Sequence, residues 1–165
     1  DDGLITDNMG VPRHNPALIP LRTEQEEKFY TVDVNGVEKA FGAVSLGNPH
    51  AVLQVNDVQL ASVHELGEAL ESHPFFPERA NIGFMQIVDR NNIKLRVYER
   101  GAGETLACGS GACAAVIIAI EQKLLDNDVI VELPGGKLKI HWQGREHPVF
   151  MTGAAISVFE GSIEL

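Results

Sequence analysis

The sequence predicts a mixed α/β fold of the α+β type, in which a curved, mostly antiparallel sheet wraps around a central apolar helix. Segments that alternate apolar and polar residues lie on both sides of turn signals along most of the chain. The run from 112 to 120 is apolar throughout, so the helix that contains it must be surrounded by protein. Strand-like segments precede and follow this run, which allows one sheet to enclose the helix.

The first third of the chain predicts a connector, a hairpin and a further strand. Residues 1–36 are rich in turn formers, and three prolines between 12 and 20 indicate an extended connector. The segment 29–46 alternates around Asn35-Gly36, a dipeptide typical of a tight hairpin turn. Residues 51–57 predict another strand.

The middle of the chain predicts a surface helix over 62–72. Ser62 is followed three residues later by Glu65, and apolar residues then recur at helical spacing. This pattern is typical of a capping box, in which the two side chains close the first turn of the helix.

The remaining elements alternate strands with the apolar helix. A strand pair is predicted around an Asn91-Asn92 turn, the apolar helix near 109–125, and a second strand pair around the Pro134–Gly136 turn. The segment 149–161 predicts a last strand.

Composition excludes several classes of protein. The formal net charge is −10 and the basic residues are scattered, so a nucleic-acid partner is not expected. The apolar run 112–120 is far shorter than the roughly 20 residues that span a bilayer, so no membrane partner is expected. Two cysteines do not form a disulfide framework, and Cys108 and Cys113 diverge on one helix, which disfavours both a disulfide and a metal site.

The glycine-rich turn around Cys108 is the strongest candidate site. The helix is predicted to start near Gly109-Ser110, where unpaired amides and the helix dipole favour an anion. The same dipole should lower the pKa of the Cys108 thiol and favour its thiolate. The alternative is a buried cysteine in a glycine loop, which is the usual role of a free cysteine. For Cys113, inside the helix among alanines, packing is the expected role.

Four motifs resemble the diaminopimelate epimerase family in order and spacing. They are "SLGNPH" at 45–50, "FPERANIGFMQ" at 76–86, "ERGAGETLACGSGACAA" at 99–115 and "ELPGGKL" at 132–138. The resemblance covers nearly the whole chain. It implies a cofactor-independent isomerase, with no metal, that interconverts LL- and meso-diaminopimelate on the route to lysine and peptidoglycan. It further implies two halves, each a sheet around a central helix, with the active site between them.

The resemblance also implies a role for each matched residue. In the two-base mechanism of the family, one cysteine thiolate removes the α-proton and a second thiol delivers one to the opposite face. Cys108 matches the second catalytic cysteine. His50 and Glu99 match residues that tune the cysteine pKa. The matched substrate-binding residues are Asn48, Asn81, Glu99, Arg100 and the amides of Gly109 and Ser110.

The first catalytic cysteine of the family has no match in this chain. We therefore expect residues 1–8 to be a crossover from a missing amino-terminal domain and 9–153 to form the carboxyl-terminal domain. Residues 154–165 are expected to form a terminal strand that would join the amino-terminal domain. The resemblance implies a chain that is inactive alone, whose partners are diaminopimelate and the missing half of the same enzyme, and a cytoplasmic homodimer.

Two alternatives remain open from the sequence. One is a proline-racemase-like or phenazine-isomerase-like enzyme, although the polar groups of "NPH", "ERAN" and "ERGAGET" favour a substrate with a second amino-acid end. The other is a non-catalytic domain that self-associates through an exposed apolar face.

Overall fold

A computed structural model describes residues 3–156 and 159–163, and within these ranges the chain forms one ten-stranded sheet and two α-helices. The strands are β1 (Leu4–Asn8), β2 (Tyr30–Val34), β3 (Val37–Ser45), β4 (Pro49–Gln54), β5 (Asn81–Asp89), β6 (Asn92–Glu99), β7 (Gly103–Thr105), β8 (Asp128–Leu133), β9 (Gly136–His141) and β10 (Phe150–Ala154). The helices are α1 (Val63–Glu71) and α2 (Gly109–Glu121), and a 3-10 turn spans Pro16–Leu18. The strand order is β1-β10-β9-β8-β6-β5-β4-β3-β2, with β7 paired to β6.

Most neighbouring strands are antiparallel, as predicted, but two pairs are parallel. Strand β4 pairs in parallel with β5, and β6 pairs in parallel with β8. Each parallel pair is joined by a crossover that contains a helix, α1 in the first and α2 in the second. Helix α2 packs against β3, β4, β5, β6, β9 and β10. This arrangement confirms the predicted sheet around a central helix.

The sheet is apolar on both faces where β4 and β5 run side by side. Val52 and Met85 pack with α2 in one core, while Leu53 and Phe84 pack in a second core that includes residues of α1. Because successive side chains of a strand point to opposite faces, a strand covered on both sides is apolar at most positions. The apolar run at 51–53 in β4 fits this requirement.

Helix α2 is buried along most of its length and ends earlier than predicted. Residues 111–119 are buried, and the helix stops at Glu121 rather than near 125. Lys123 adopts a left-handed backbone with φ 64°, and the amides of Lys123 and Leu124 donate to the carbonyls of Ile120 and Ala119. This pair of hydrogen bonds closes the helix end although no glycine is present.

The predicted capping box of α1 is wrong, although the helix itself is confirmed. Ser62 is the N-cap residue, but its side chain makes no capping hydrogen bond, and only its backbone carbonyl accepts, from the Leu66 amide. The φ and ψ of Ser62 are −74° and 62°, outside the extended region that a capping side chain normally requires.

Three details of the strands differ from the sequence prediction. The connector contains β1, and the turn before α2 contains the short β7, neither of which alternates long enough to be predicted. Strand β4 begins at Pro49, because a proline is tolerated as the first residue of a strand. The turn between β5 and β6 is Arg90-Asn91, with Asn92 already in the strand.

The last strand, β10, pairs with β1 on one side and β9 on the other. Among the described residues beyond β10, which are 155–156 and 159–163, none lies in a strand. Part of the predicted terminal strand, residues 157–158 and 164–165, lies outside the described residues, as do residues 1–2 of the predicted crossover. The division at 8 and 154 therefore stays a prediction.

Candidate active site

Cys108 is the N-cap residue of α2, at the point where the chain turns from β7 into the buried helix. Its backbone is extended, with φ −141° and ψ 102°, and only 5% of the residue is exposed. The preceding loop is held by the Gly135 amide, which donates to the Leu106 carbonyl at 2.7 Å. The "GG" turn between β8 and β9 thus fixes the loop that presents the thiol.

Glu99, at the end of β6, accepts the proton of this thiol. The distance from Cys108 Sγ to Glu99 Oε2 is 3.2 Å. The other carboxylate oxygen, Oε1, accepts from the Thr105 hydroxyl at 2.6 Å. Thr105 was not predicted as a site residue, and its only signal in the sequence is its position in the "ERGAGET" motif.

On the other side of the sulfur lies a chain of hydrogen-bond donors. The Ser110 Oγ is 3.8 Å from Cys108 Sγ and accepts from the Asn48 Nδ2 at 3.3 Å. The side-chain carbonyl oxygen of Asn48 lies 3.1 Å from His50 Nε2. In the neutral tautomer with its proton on Nε2, His50 donates to this oxygen. The predicted residues Asn48, His50, Glu99, Cys108 and Ser110 therefore form one connected network.

The expected lowering of the Cys108 pKa is wrong for this chain. Burial, then the hydrogen bond to Glu99 and the negative charge of Glu99, raise the pKa of the thiol to about 11. The Gly111 amide and the Ser110 hydroxyl oppose this shift. The sequence showed the helix dipole but neither the burial nor the carboxylate, and these two effects are larger here.

His50 is buried and neutral. It is 1% exposed, and burial together with the positive charge of Arg100 lowers its pKa to about 3. A buried imidazole that stays neutral near pH 7 can keep one fixed tautomer, so the direction of the donor chain toward Ser110 is also fixed.

Asn81 bridges the strand that carries His50 and the strand that carries Glu99. It lies opposite His50 in the parallel β4–β5 pair and is 4% exposed. Its Nδ2 donates to the Pro49 carbonyl at 3.2 Å, and its Oδ1 accepts from the Arg100 amide at 3.0 Å. One amide proton of Asn81 remains for any further partner.

Arg100 is exposed and lies at the edge of the network. Its Nη1 donates to the Glu78 carbonyl at 2.9 Å. With Pro49 and Arg13 it lines an open cavity of about 270 Å³. The turn after Arg100 is anchored by the buried Glu71, which accepts from the Gly101 amide at 3.0 Å.

The first turn of α2 presents free amides beside the thiol. Among the described residues, no acceptor is found for the amides of Gly109 and Ser110. Gly111 allows the close approach of the sulfur, since a Cβ at this position would lie 3.0 Å from Cys108 Sγ. The helix start can therefore receive an anion directly next to Cys108.

Cys113 lies in the helix core. Cys113 is 0% exposed inside the α2 core, burial raises its pKa to about 12, and both cysteines are free thiols.

In the described ranges, 3–156 and 159–163, no group of three His, Cys, Asp or Glu side chains could hold a metal ion. Within the same ranges no helix is long and apolar enough to cross a membrane.

Comparison with known proteins identifies relatives of this arrangement. A family model described as diaminopimelate epimerase matches residues 42–158. The chain is 55% identical over 165 residues to a diaminopimelate epimerase of Nitrosomonas europaea, and it spans 60% of the length of that relative.

Solved structures support the fold alone. A probable proline racemase from Agrobacterium radiobacter with bound carbonate gives a TM-score of 0.70 at 13% identity, covering 99% of this chain and 54% of that one. A hydroxyproline epimerase from Agrobacterium vitis with bound trans-4-hydroxy-L-proline gives 0.66 at 15% identity, covering 92% of this chain and 50% of the other. Both are longer chains that contain this fold in about half of their length.

Proposed function

Because this chain belongs to the diaminopimelate epimerase family, we propose that it is the carboxyl-terminal part of an enzyme that interconverts LL- and meso-diaminopimelate by proton transfer at the α-carbon. The observation that carries this proposal is the environment of the Cys108 thiol. It lies at a helix N-terminus between an acceptor, Glu99, and a donor, Ser110. A group that must alternate between thiol and thiolate needs a partner for each state.

In the proposed reaction Cys108 delivers a proton. A thiolate on the opposite face of the substrate takes the α-proton, and the electron pair of the broken C–H bond stays on the α-carbon and its carboxylate. The Cys108 S–H bond then breaks and its proton joins the other face of that carbon, which inverts the centre. The raised pKa of Cys108 supports its role as the thiol that donates, and the reverse reaction returns the proton.

The helix start supports the proposed binding of the reacting carboxylate. Gly109 and Ser110 are the first two residues of α2 and follow its N-cap residue Cys108, so their amides have no acceptor within the helix. Negative charge that develops on the carboxylate during proton removal is stabilised by these amides and by the helix dipole. Asn48 donates to Ser110, and Asn81 accepts from the Arg100 amide. Asn48, Asn81 and Arg100 are proposed to hold the distal amino-acid end of the substrate, in part through the forked guanidinium of Arg100.

The proposed thiolate on the opposite face belongs to a part of the enzyme that this chain does not contain. Since the chain spans 60% of its relative, we propose that the missing amino-terminal part supplies that cysteine and that this chain is inactive alone. We further propose that the complete enzyme needs no cofactor, acts in the cytoplasm in lysine and peptidoglycan precursor synthesis, and forms a homodimer.

The proposal is tested by hydrogen exchange in the complete enzyme. In deuterated water, Cys108→Ser should abolish conversion of LL- to meso-diaminopimelate, while Cys113→Ser, a matched change of the buried thiol, should keep most of it. Incubation of the 165-residue chain alone should give no α-deuteration. Unchanged turnover of Cys108→Ser would remove Cys108 from the mechanism, and α-deuteration by the chain alone would refute the need for a second part.

A proline racemase-like activity is the second candidate, and its support is the shared fold. Proline has no second amino-acid end, so it leaves the proposed distal groups Asn48, Asn81 and Arg100 without a partner. Turnover of proline by the complete enzyme, without turnover of diaminopimelate, would favour this candidate.

A further inference from the structure

Thr105 makes a short side-chain hydrogen bond in the candidate site. Its hydroxyl oxygen lies 2.6 Å from Glu99 Oε1 and 3.4 Å from the Ala107 carbonyl oxygen. A hydroxyl has a single proton to donate, and hydrogen bonds weaken with distance, so the proton of Thr105 points to Glu99. One oxygen of the carboxylate is thereby occupied, and only the other oxygen faces Cys108.

The strand that carries Thr105 is too short to fix this contact through its backbone alone. Strand β7 has three residues, Gly103–Thr105, and among the described strands it pairs only with β6. A fork between Arg96 on β6 and Glu104 on β7 adds two hydrogen bonds, from Nε to Oε1 at 2.6 Å and from Nη2 to Oε2 at 2.9 Å. The two side chains are 19% and 15% exposed.

The fork is itself anchored from outside the strand pair. Arg96 Nη1 donates to the Val58 carbonyl at 3.0 Å, and His64 Nε2 lies 3.1 Å from Glu104 Oε2. The hydrogen bonds of the fork raise the pKa of Arg96 and lower that of Glu104, so both groups stay charged. A two-point contact of this kind restricts rotation of both side chains.

We propose that Thr105 is a positioning residue for the Cys108 thiol: its hydroxyl fixes Glu99 so that the second carboxylate oxygen accepts the thiol proton, and the Arg96–Glu104 fork holds Thr105 in place. This inference rests on the proposed role of Cys108 in proton transfer. It adds a residue whose hydroxyl acts on the thiol through Glu99.

Removal of the Thr105 hydroxyl should lower the pKa of the Cys108 thiol. Without Thr105, Glu99 is free to rotate, and the thiol loses the acceptor that favours its protonated form. Glu99 is the charged group that raises the pKa of Cys108, Cys113 lies behind it in the helix, and His50 joins the same network through Asn48 and Ser110. More of Cys108 is therefore thiolate at a given pH.

The test measures alkylation of Cys108 in the 165-residue chain by iodoacetamide from pH 7 to 11. Mass spectrometry of the Cys108 peptide gives a rate that excludes Cys113. We expect Thr105→Val to react about three- to tenfold faster at pH 8, with a lower midpoint, since each unit of thiol pKa changes the thiolate fraction about tenfold. Thr105→Ser should behave like the unmodified chain. Thr31→Val, an exposed threonine of β2, is the control for the loss of a strand hydroxyl.

Two results would overturn the proposal. The first is a Thr105→Val rate profile equal to that of the unmodified chain. The second is a Thr105→Ser profile shifted as far as that of Thr105→Val, because the hydroxyl would then not be the cause. Circular dichroism checks that each variant is folded.

A second variant tests the fork even where Thr105→Val fails to fold. Arg96→Lys keeps the charge but not the two-point geometry. It should increase the alkylation rate in the same direction, by about twofold, and an unchanged rate would remove the fork from the proposal. These readouts use no substrate. Failure of the epimerase proposal would appear in the turnover of Cys108→Ser, whereas failure of the Thr105 proposal would appear in the alkylation profiles.

Discussion

Acidification should destabilise this chain through His50, and the size of the effect follows from its burial. The pKa of His50 is lowered from 6.5 to about 3 in the folded chain. Below pH 6.5 the unfolded chain binds a proton at His50 that the folded chain does not bind, so the free energy of unfolding falls as the pH falls. Each pH unit between these two pKa values contributes about 1.4 kcal/mol, so the loss is about 3 kcal/mol by pH 4.5 and about 4 kcal/mol by pH 3, where half of the folded chains already carry the proton.

The assay is urea denaturation at pH 7.5, 6.0 and 4.5, with His50→Gln as the test variant and His147→Gln as the control on the surface. Glutamine can donate to Asn48 but has no proton to bind. His50→Gln is expected to be less stable at pH 7.5, because it leaves a packing defect at a site that is 1% exposed. Its deficit should shrink by about 2–3 kcal/mol between pH 7.5 and 4.5.

The comparison between variants isolates His50 from the other groups. Carboxylates with lowered pKa values, such as Glu104 and Glu121, also destabilise the chain in acid. They are present in every variant and cancel in the difference. A deficit of His50→Gln that stays constant from pH 7.5 to 4.5 would refute the reasoning, and so would a deficit of His147→Gln that shrinks by the same amount.

Three further changes have defined outcomes. Gly111→Ala should shift the alkylation profile of Cys108, because the added methyl would lie 3.0 Å from its Sγ. The cost in stability, by urea denaturation, should stay within about 2 kcal/mol, since overpacking is offset by the better helix propensity of alanine. Gly109→Ala is the matched control, because its methyl meets the flexible end of the Met151 side chain. Equal Cys108 alkylation profiles for Gly111→Ala and Gly109→Ala would contradict this prediction. Glu99→Gln in a Cys113→Ser background should move the midpoint of the Cys108 titration, measured by thiolate absorbance, from about 11 toward 9. A midpoint that does not move would show that burial alone raises the pKa of Cys108. Gly67→Ala should lower the free energy of unfolding by about 1–3 kcal/mol, because its Cβ would lie 2.6 Å from the Cβ of Tyr98, which the β6 backbone fixes; an unchanged urea midpoint would contradict this.

The parts of the fold that local chemistry determines were predictable from the sequence. The Asn35-Gly36 turn has φ values of 54° and 80°, which these two residues tolerate better than most others. The central helix was evident because no polar face interrupts it. The parallel pairing of β4 with β5 and of β6 with β8 was not predictable, because pairing between distant strands leaves no mark in either strand alone.

The residues of the candidate site could be proposed from sequence motifs, but the direction of the Cys108 pKa shift could not be predicted. The motifs indicated Cys108 and Glu99 as candidates. The direction of the thiol pKa shift depends on the 5% exposure of Cys108 and on the 3.2 Å between its Sγ and Glu99 Oε2, which only the folded chain shows. Thr105 was missed for a related reason. A threonine in a three-residue strand has no distinctive pattern, and its role depends on the carboxylate that β6 places opposite it.

The two crossovers have a consequence for folding kinetics. The hydrogen bond between Asn48 and Ser110 joins residues that are 62 positions apart. Helix α1 lies between them in the sequence, and α2 begins next to Ser110. Bringing such distant residues together has an entropic cost before any contact is gained, so local hairpins such as β2–β3 form earlier. Until the α2 crossover closes, Cys108 is solvated and its thiol is more acidic than in the finished fold. The time at which Cys108 becomes resistant to alkylation during refolding therefore measures the closure of that crossover.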